Sequence, residues 1–127
     1  MPPQPKTTMR TRARDKLLAD LVAGRFPLGP LRSELATYPW DLDEPLIILE
    51  RQHLANILER YIDGELKAAE VAAWADALEM RDDVGFRHED DRLLRGMLST
   101  LATPEVHAPL TLIRAKGLLA DIARGPA

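Results

Sequence analysis

The chain of 127 residues contains no cysteine. This absence excludes a disulfide framework, thiol catalysis and cysteine-based zinc sites. Glycines occur only singly, so neither the GxGxxG pattern nor a phosphate-binding P-loop is present. The two serines, Ser33 and Ser99, do not lie in a GxSxG motif. No apolar run approaches the roughly 18 residues that span a bilayer.

Histidines are also few, and their spacing argues against metal chemistry. His53, His88 and His107 form no HExxH motif, and none has a second histidine one helical turn away. The acids near His88 do not alternate as they do in a calcium-binding loop. We therefore expect no metal, no cofactor and no catalytic residues, and predict that the protein is not an enzyme.

The composition predicts one folded domain. Apolar residues make up 46% of the chain and charged residues 29%, which is ordinary for a globular protein. The start of the sequence has no continuous apolar stretch typical of a secretion signal, so we expect a cytoplasmic protein without a membrane segment. Residues 1 to 40 carry seven Lys and Arg against three acids, whereas residues 41 to 127 carry ten against seventeen. The net charge of −3 therefore combines a basic start with an acidic body.

Hydrophobic periodicity predicts an all-α fold, a compact bundle of about five helices. Residues 1 to 8 contain three prolines and are expected to form a disordered arm, followed by a single domain over residues 9 to 125. Apolar side chains recur at helical spacing within 9–23, within a short piece at 30–38, and in four later helices. The stripes of the last three are Val71, Trp74, Ala75 and Leu78; Leu93, Leu94, Met97, Leu98 and Leu101; and Leu112, Ala115, Leu119 and Ile122.

A helix start signal occurs at Asp43-Glu44-Pro45, where an acidic cap precedes a proline. This pattern predicts a long helix from residue 43 to Gly64, with Ile47, Leu54, Ile57, Leu58 and Tyr61 on its apolar face. The charged segment 81–91 breaks the helical period and is predicted to be a surface loop, with Val84 and Phe86 turned inward. No run of alternating β-branched residues indicates a strand.

The two tryptophans have different surroundings in the sequence. Trp74 lies on an apolar stripe and is predicted to be a core residue. Trp40 lies beside acids at an irregular junction, where it either locks neighbouring helices together or serves as an exposed anchor for a partner.

Basic residues near the start offer an alternative, a nucleic-acid accessory function. Lys6, Arg10, Arg12, Arg14 and Lys16 could contact phosphates through charge. The acidic body opposes this interpretation, because it repels a polyanion and because no helix has the pattern of a recognition helix. We therefore expect no nucleic-acid partner.

Four segments carry a resemblance to known proteins: residues 60–66 (RYIDGEL), 74–79 (WADALE), 81–86 (RDDVGF) and 101–105 (LATPE). They resemble a group of small, all-helical bacterial proteins over roughly residues 38 to 124. The general appearance is similar to immunity proteins that neutralise partner toxins. The resemblance implies a helical fold and a toxin as the protein partner, and it implies no catalytic residues.

An acidic surface would suit such a partner, because toxins that cleave nucleic acids often have basic clefts and opposite charge speeds association. We predict a protein-binding surface among the acids at two places in the chain, with Trp40 beside the first. The candidate residues are Trp40, Asp41, Asp43, Glu44, Asp82, Asp83, Glu89, Asp90 and Asp91. The alternative is a self-assembling protein, for example a homodimer, or an adaptor of a larger complex.

Overall fold

A computed structural model describes residues 5–38, 45–79 and 81–124 of the chain. Within these ranges the backbone forms seven α-helices and two short strands. In chain order they are α1 (Pro5–Val22), α2 (Leu28–Leu35), β1 (Ile47–Leu49), α3 (Arg51–Ile62), α4 (Ala68–Glu79), β2 (Val84–Phe86), α5 (Asp91–Ala102), α6 (Pro104–His107) and α7 (Leu112–Arg124). A 3₁₀ turn, His88–Asp90, leads into α5.

The mostly helical fold predicted from periodicity is confirmed, whereas the predicted count of about five helices is not. Helix α2, of eight residues, lies at the short piece predicted for 30–38, whereas the four-residue α6 was not predicted. Helix α1 begins at Pro5, so residues 5 to 8 are helical rather than part of a disordered arm, while residues 1 to 4 lie outside the described ranges. Proline suits this position, because the first turn of a helix has no use for its missing N–H.

The core lies where α4 packs against α5, with α3 against α7 and α1 against α2 around it. The predicted stripes of α4 and α5 are confirmed. Val71, Trp74, Ala75 and Leu78 are buried on α4, and Leu94, Met97, Leu98 and Leu101 are buried on α5, with Leu93 partly buried. Helical spacing brings these side chains to one face of each helix, and burying that face is what holds the two helices together.

The region around residue 47 differs from the prediction. Instead of continuing a helix from residue 43, Ile47–Leu49 forms β1 and pairs in parallel with β2, so that Ile47 lies opposite Val84 and Leu49 opposite Phe86. Helix α3 starts only at Arg51. A run of four apolar residues, 46 to 49, fits a buried strand as well as a buried helix, and only pairing with a distant segment decides between them.

Strand β2 likewise replaces part of the loop predicted for 81–91. The inward orientation expected there is confirmed, since Val84 is buried and Phe86 packs against the core. Gly85 lies between them because a larger residue does not fit: a Cβ atom there would come within 2.7 Å of Pro45 Cγ. Pro45 therefore packs directly on the backbone of the strand.

Among the described residues, no helix is both long and apolar enough to cross a membrane.

Candidate functional site

The first group of predicted partner-binding residues, Trp40, Asp41, Asp43 and Glu44, lies outside the residues that the structure describes. The second group lies in the turn before β2 and from the 3₁₀ turn to the first residue of α5, and its members differ in exposure. Asp82 and Glu89 are exposed, Asp91 is partly buried, and Asp83 and Asp90 are buried.

Asp83 is the centre of a buried ion-pair network. Its carboxylate accepts hydrogen bonds from Arg81 Nε and Nη2, both at 2.9 Å, and from Arg14 Nη2 at 3.0 Å. Its main-chain carbonyl accepts hydrogen bonds from the N–H groups of Leu46 and Ile47 at 2.8 and 3.2 Å. Asp83 thereby connects α1, the start of β1 and the segment before β2, and its carboxylate is not available to a partner.

Two opposing effects act on the pKa of the Asp83 carboxyl. Burial raises this pKa, but the hydrogen bonds and positive charges of Arg81 and Arg14 outweigh burial and hold it below the usual 3.8. The carboxylate therefore contributes stability at pH values above about 3.8, and this contribution is lost as the pH falls through the lower pKa of the folded state.

Asp90 has a comparable structural position. Arg51 donates through Nε to Asp90 Oδ1 at 2.6 Å and through Nη1 to the carbonyl of Ile122 at 2.6 Å. One arginine thus connects the start of α3 with the turn before α5 and the end of α7. Asp83 and Asp90, both predicted to contact a partner, are therefore buried and paired with arginines inside the fold.

The exposed acids of this region do not form an acid-only surface. Asp91 pairs with Arg95 at 2.7 Å, and Arg87 pairs with Glu50 on the neighbouring segment. Arg95 also lies over the ring of Phe86, 4.6 Å from its centroid. Acidic and basic side chains are therefore mixed here, and only Asp82 and Glu89 remain as exposed acids without an ion pair to a described residue.

The histidines do not come together with acids into a metal site within the described ranges. His53 has a structural contact instead: its Nδ1 accepts a hydrogen bond of 2.8 Å from the N–H of Glu50, which precedes α3. An imidazole can accept at Nδ1 only when that nitrogen carries no proton. Burial lowers the pKa of His53, and the opposing charge of Glu50 does not fully offset it.

This arrangement predicts a pH dependence of stability. The unfolded chain binds a proton at His53 near the ordinary pKa of 6.5, whereas the folded chain resists it. The contribution of His53 to the free energy of unfolding is therefore complete above pH 6.5 and is lost as the pH falls through the lower pKa of the folded state. This contribution is at most about 1 kcal/mol, the usual net value of one hydrogen bond. Urea unfolding at pH 7.5 and 5.5 measures it. The difference in the free energy of unfolding between the two pH values should shrink in His53→Ala and persist in His107→Ala. An equal difference in both variants would contradict the prediction.

A second surface of the molecule is apolar. Of the five large hydrophobic side chains exposed among the described residues, three come from the short stretch that runs from α6 to the start of α7. Val106 is 74% exposed, Leu112 51% and Ile113 85%. We call these three residues the apolar triplet. The prediction that Leu112 faces the core is wrong, although Ala115 and Ile122 of the same stripe are buried and Leu119 is partly buried.

An apolar cavity of about 260 Å³ lies beside this stretch, and none of the triplet lines it. Its walls come from the start of α4, the end of α5, and the connection from α6 to α7. The lining residues are Ala68, Ala69, Val71, Ala72, Thr100, Leu101, Pro104, Ala108, Pro109, Leu110 and Arg114. The three alanines of α4 leave the space that larger side chains would fill. Arg114 is the one charged residue among these, and it lies in the first turn of α7.

The loop between α6 and α7, which lines the cavity, is held in an unusual conformation. Ala108 has φ 154° and ψ 151°, a region that is occupied almost only by glycine and costs about 1 to 3 kcal/mol for other residues. The Tyr61 hydroxyl donates to the carbonyl of Leu110 at 3.2 Å and so ties this loop to α3. Such strain persists only where the surrounding structure imposes it.

Sequence reasoning missed both features of this region. The one available signal was Ile113, which falls beside the predicted stripe of α7 rather than on it, and so marks an apolar side chain outside the core face. Nothing in the periodicity indicated the cavity, because it forms between three segments that are distant in the sequence.

No protein-family model, no curated protein and no solved structure matches this chain.

Proposed function

We propose that this protein acts by binding another protein, not by catalysis, and that the apolar triplet is the contact surface. The observation that carries the proposal is the exposure of Val106, Leu112 and Ile113 within eight consecutive residues. Single exposed apolar residues are common on soluble proteins, whereas several close together are typical of interfaces. Burial of such a side chain stabilises a complex by about 1.5 to 3 kcal/mol.

Charge indicates the kind of partner surface. Residues 104 to 116 carry Arg114 and Lys116 against one acid, Glu105. Neither basic residue makes an ion pair with a described residue. A partner that presents an apolar surface edged by acidic side chains would complement this stretch, since opposite charges at the rim speed association.

The double variant Val106→Ser/Ile113→Ser tests the proposal. It removes two exposed apolar side chains without changing the net charge, so we expect stability to remain within about 0.5 kcal/mol of wild type. Affinity for the partner should fall about 100-fold or more, because two buried side chains are lost from the complex. Ala123→Ser is the matched control, since Ala123 is exposed near the other end of α7.

The measurement compares the proteins retained by wild type, the double variant and Ala123→Ser from host lysate, and then the affinity of the purified pair by calorimetry. A protein retained by wild type and Ala123→Ser but lost from the double variant is the expected result. Equal retention by all three would contradict the proposal. A wild-type dimer in solution that the double variant dissociates would instead assign the triplet to self-assembly.

Neutralisation of a toxin remains a more specific proposal within protein binding. It needs an acidic surface that faces a basic cleft, and two of the five described candidate acids, Asp83 and Asp90, are buried in ion pairs. Asp82 and Glu89 remain exposed and would serve such a partner. Reversal of both charges should slow association at low salt if the partner is basic, and should leave it unchanged if the triplet alone makes the contact.

A further inference from the structure

The cavity beside α7 combines an apolar interior with a single positive charge. Ten of its eleven lining residues are uncharged, most of them aliphatic, and Arg114 is the exception. No aspartate or glutamate lines the cavity. The guanidinium of Arg114 also makes no ion pair with any described residue, so no acid of the described chain neutralises it.

We propose that this cavity binds a small apolar molecule that ends in one carboxylate, with the hydrocarbon part between α4 and α5 and the carboxylate on Arg114. An aliphatic cavity of this kind offers nothing to a polar ligand, because the polar groups of the ligand would lose their water without gaining partners. Thr100 is the only lining residue with a side-chain hydroxyl. The affinity for the body of the ligand therefore comes from burial of hydrocarbon.

The size of the cavity limits the size of the ligand. An apolar cavity of about 150 Å³ accommodates benzene, so the 260 Å³ found here corresponds in proportion to about ten carbon atoms. This is smaller than the typical site for a drug-sized molecule. A medium-length aliphatic chain or a single substituted ring has the required volume.

The charge of the site favours one carboxylate. The guanidinium of arginine presents parallel N–H donors that match the two oxygens of a carboxylate. Arg114 lies in the first turn of α7, a helix of thirteen residues, whose N-terminal end adds a partial positive charge in the same place. A phosphate group carries nearly two negative charges, whereas the lining of the site has one cation. A phosphate therefore fits less well than a carboxylate.

The site is distinct from the apolar triplet, because Val106, Leu112 and Ile113 do not line the cavity. The two proposals can therefore fail separately. Arg114→Gln should change ligand binding, whereas Val106→Ser/Ile113→Ser should leave it intact.

Octanoate and 1-octanol are the probes, since they share an eight-carbon chain and differ in the charged group. Both are titrated into the ¹⁵N-labelled full-length chain, and amide shifts are followed. We expect octanoate to shift amides of residues 68–72, 100–104 and 108–114 and to bind at least tenfold more tightly than 1-octanol, because a hydrogen bond to a charged group exceeds a neutral contact. In Arg114→Gln this tenfold preference should disappear while 1-octanol binds as before.

Ala72→Leu provides a second variant, because it fills the cavity from α4 and leaves Arg114 in place. Both probes should bind Ala72→Leu at least tenfold more weakly than wild type, while thermal unfolding verifies that the variant is folded. Shifts spread over the whole protein, equal affinity of the two probes for wild type, or an unchanged octanoate preference in Arg114→Gln would each overturn the proposal.

Discussion

Replacing Asp83 with alanine should lower the free energy of unfolding by about 3 to 5 kcal/mol, the usual cost of removing one partner from a buried ion pair. The reason is that two largely buried arginines lose the carboxylate that neutralises them. Arg14 is only 8% exposed and Arg81 is also largely buried, and both direct their guanidinium groups at this one carboxylate. Without it, the positive charges of Arg14 and Arg81 lose the buried carboxylate that they share.

Urea unfolding at pH 7 measures the effect of Asp83→Ala, and Asp82→Ala is its matched control. The two residues are adjacent and chemically identical, but Asp82 is exposed, so its variant should stay within about 0.5 kcal/mol of wild type. In the double variant Arg14→Met/Asp83→Ala, part of the loss should be recovered, because the buried positive charge that Asp83 had neutralised is removed with it. Similar losses in the two single variants would show that the carboxylate of Asp83 is not the structural connection described here.

Replacing Trp74 with alanine should cost about 3 to 5 kcal/mol of stability, because it removes the largest fully buried side chain of the described core. Trp74 belongs to α4, and its indole Nε1 donates a hydrogen bond of 2.7 Å to the carbonyl of Leu21 on α1. Alanine would leave a void between the two helices and remove this connection. Differential scanning calorimetry or urea unfolding measures the loss.

Trp74→Phe separates the two contributions, since it retains an aromatic ring but removes the N–H donor. Its cost should lie clearly below that of the alanine variant, because the Leu21 carbonyl keeps the hydrogen bond from Gly24 N at 3.0 Å. Equal losses in the two variants would assign the effect to the hydrogen bond rather than to packing. A loss below about 1 kcal/mol in Trp74→Ala would contradict the core position of the residue.

The accuracy of the sequence predictions varied with the length of the pattern. Helices α4 and α5 repeat apolar residues over three turns, and periodicity of that length identified both the helix and its buried face. Strands β1 and β2 have three residues each, too few for any period to appear. They exist because Leu49 and Phe86, 37 positions apart in the sequence, come together as register partners.

The prediction of an acidic partner surface was limited because the sequence does not show which side chains face solvent. A cluster of acids such as Asp82-Asp83 reads in the sequence as one acidic surface, yet the structure turns Asp83 inward to Arg14 and leaves Asp82 outside. Asp82 and Asp83 lie in the turn that precedes β2, and there the two neighbours face different surroundings, so adjacent residues need not share a surface. Arg14, one of the basic residues near the start of the chain, is 69 positions from the carboxylate that it binds.

The amino-acid sequence by itself determined that this protein is mostly helical, that it lacks cysteine chemistry, and that Trp74 belongs to the core, because composition and period act locally and need no partner segment. Only the tertiary structure decided which acids remain exposed, where the apolar triplet lies, and that a cavity forms beside Arg114. These properties depend on contacts between α1, α4, α5 and α7, and the free energy of such contacts depends on which distant side chains exclude water from one another.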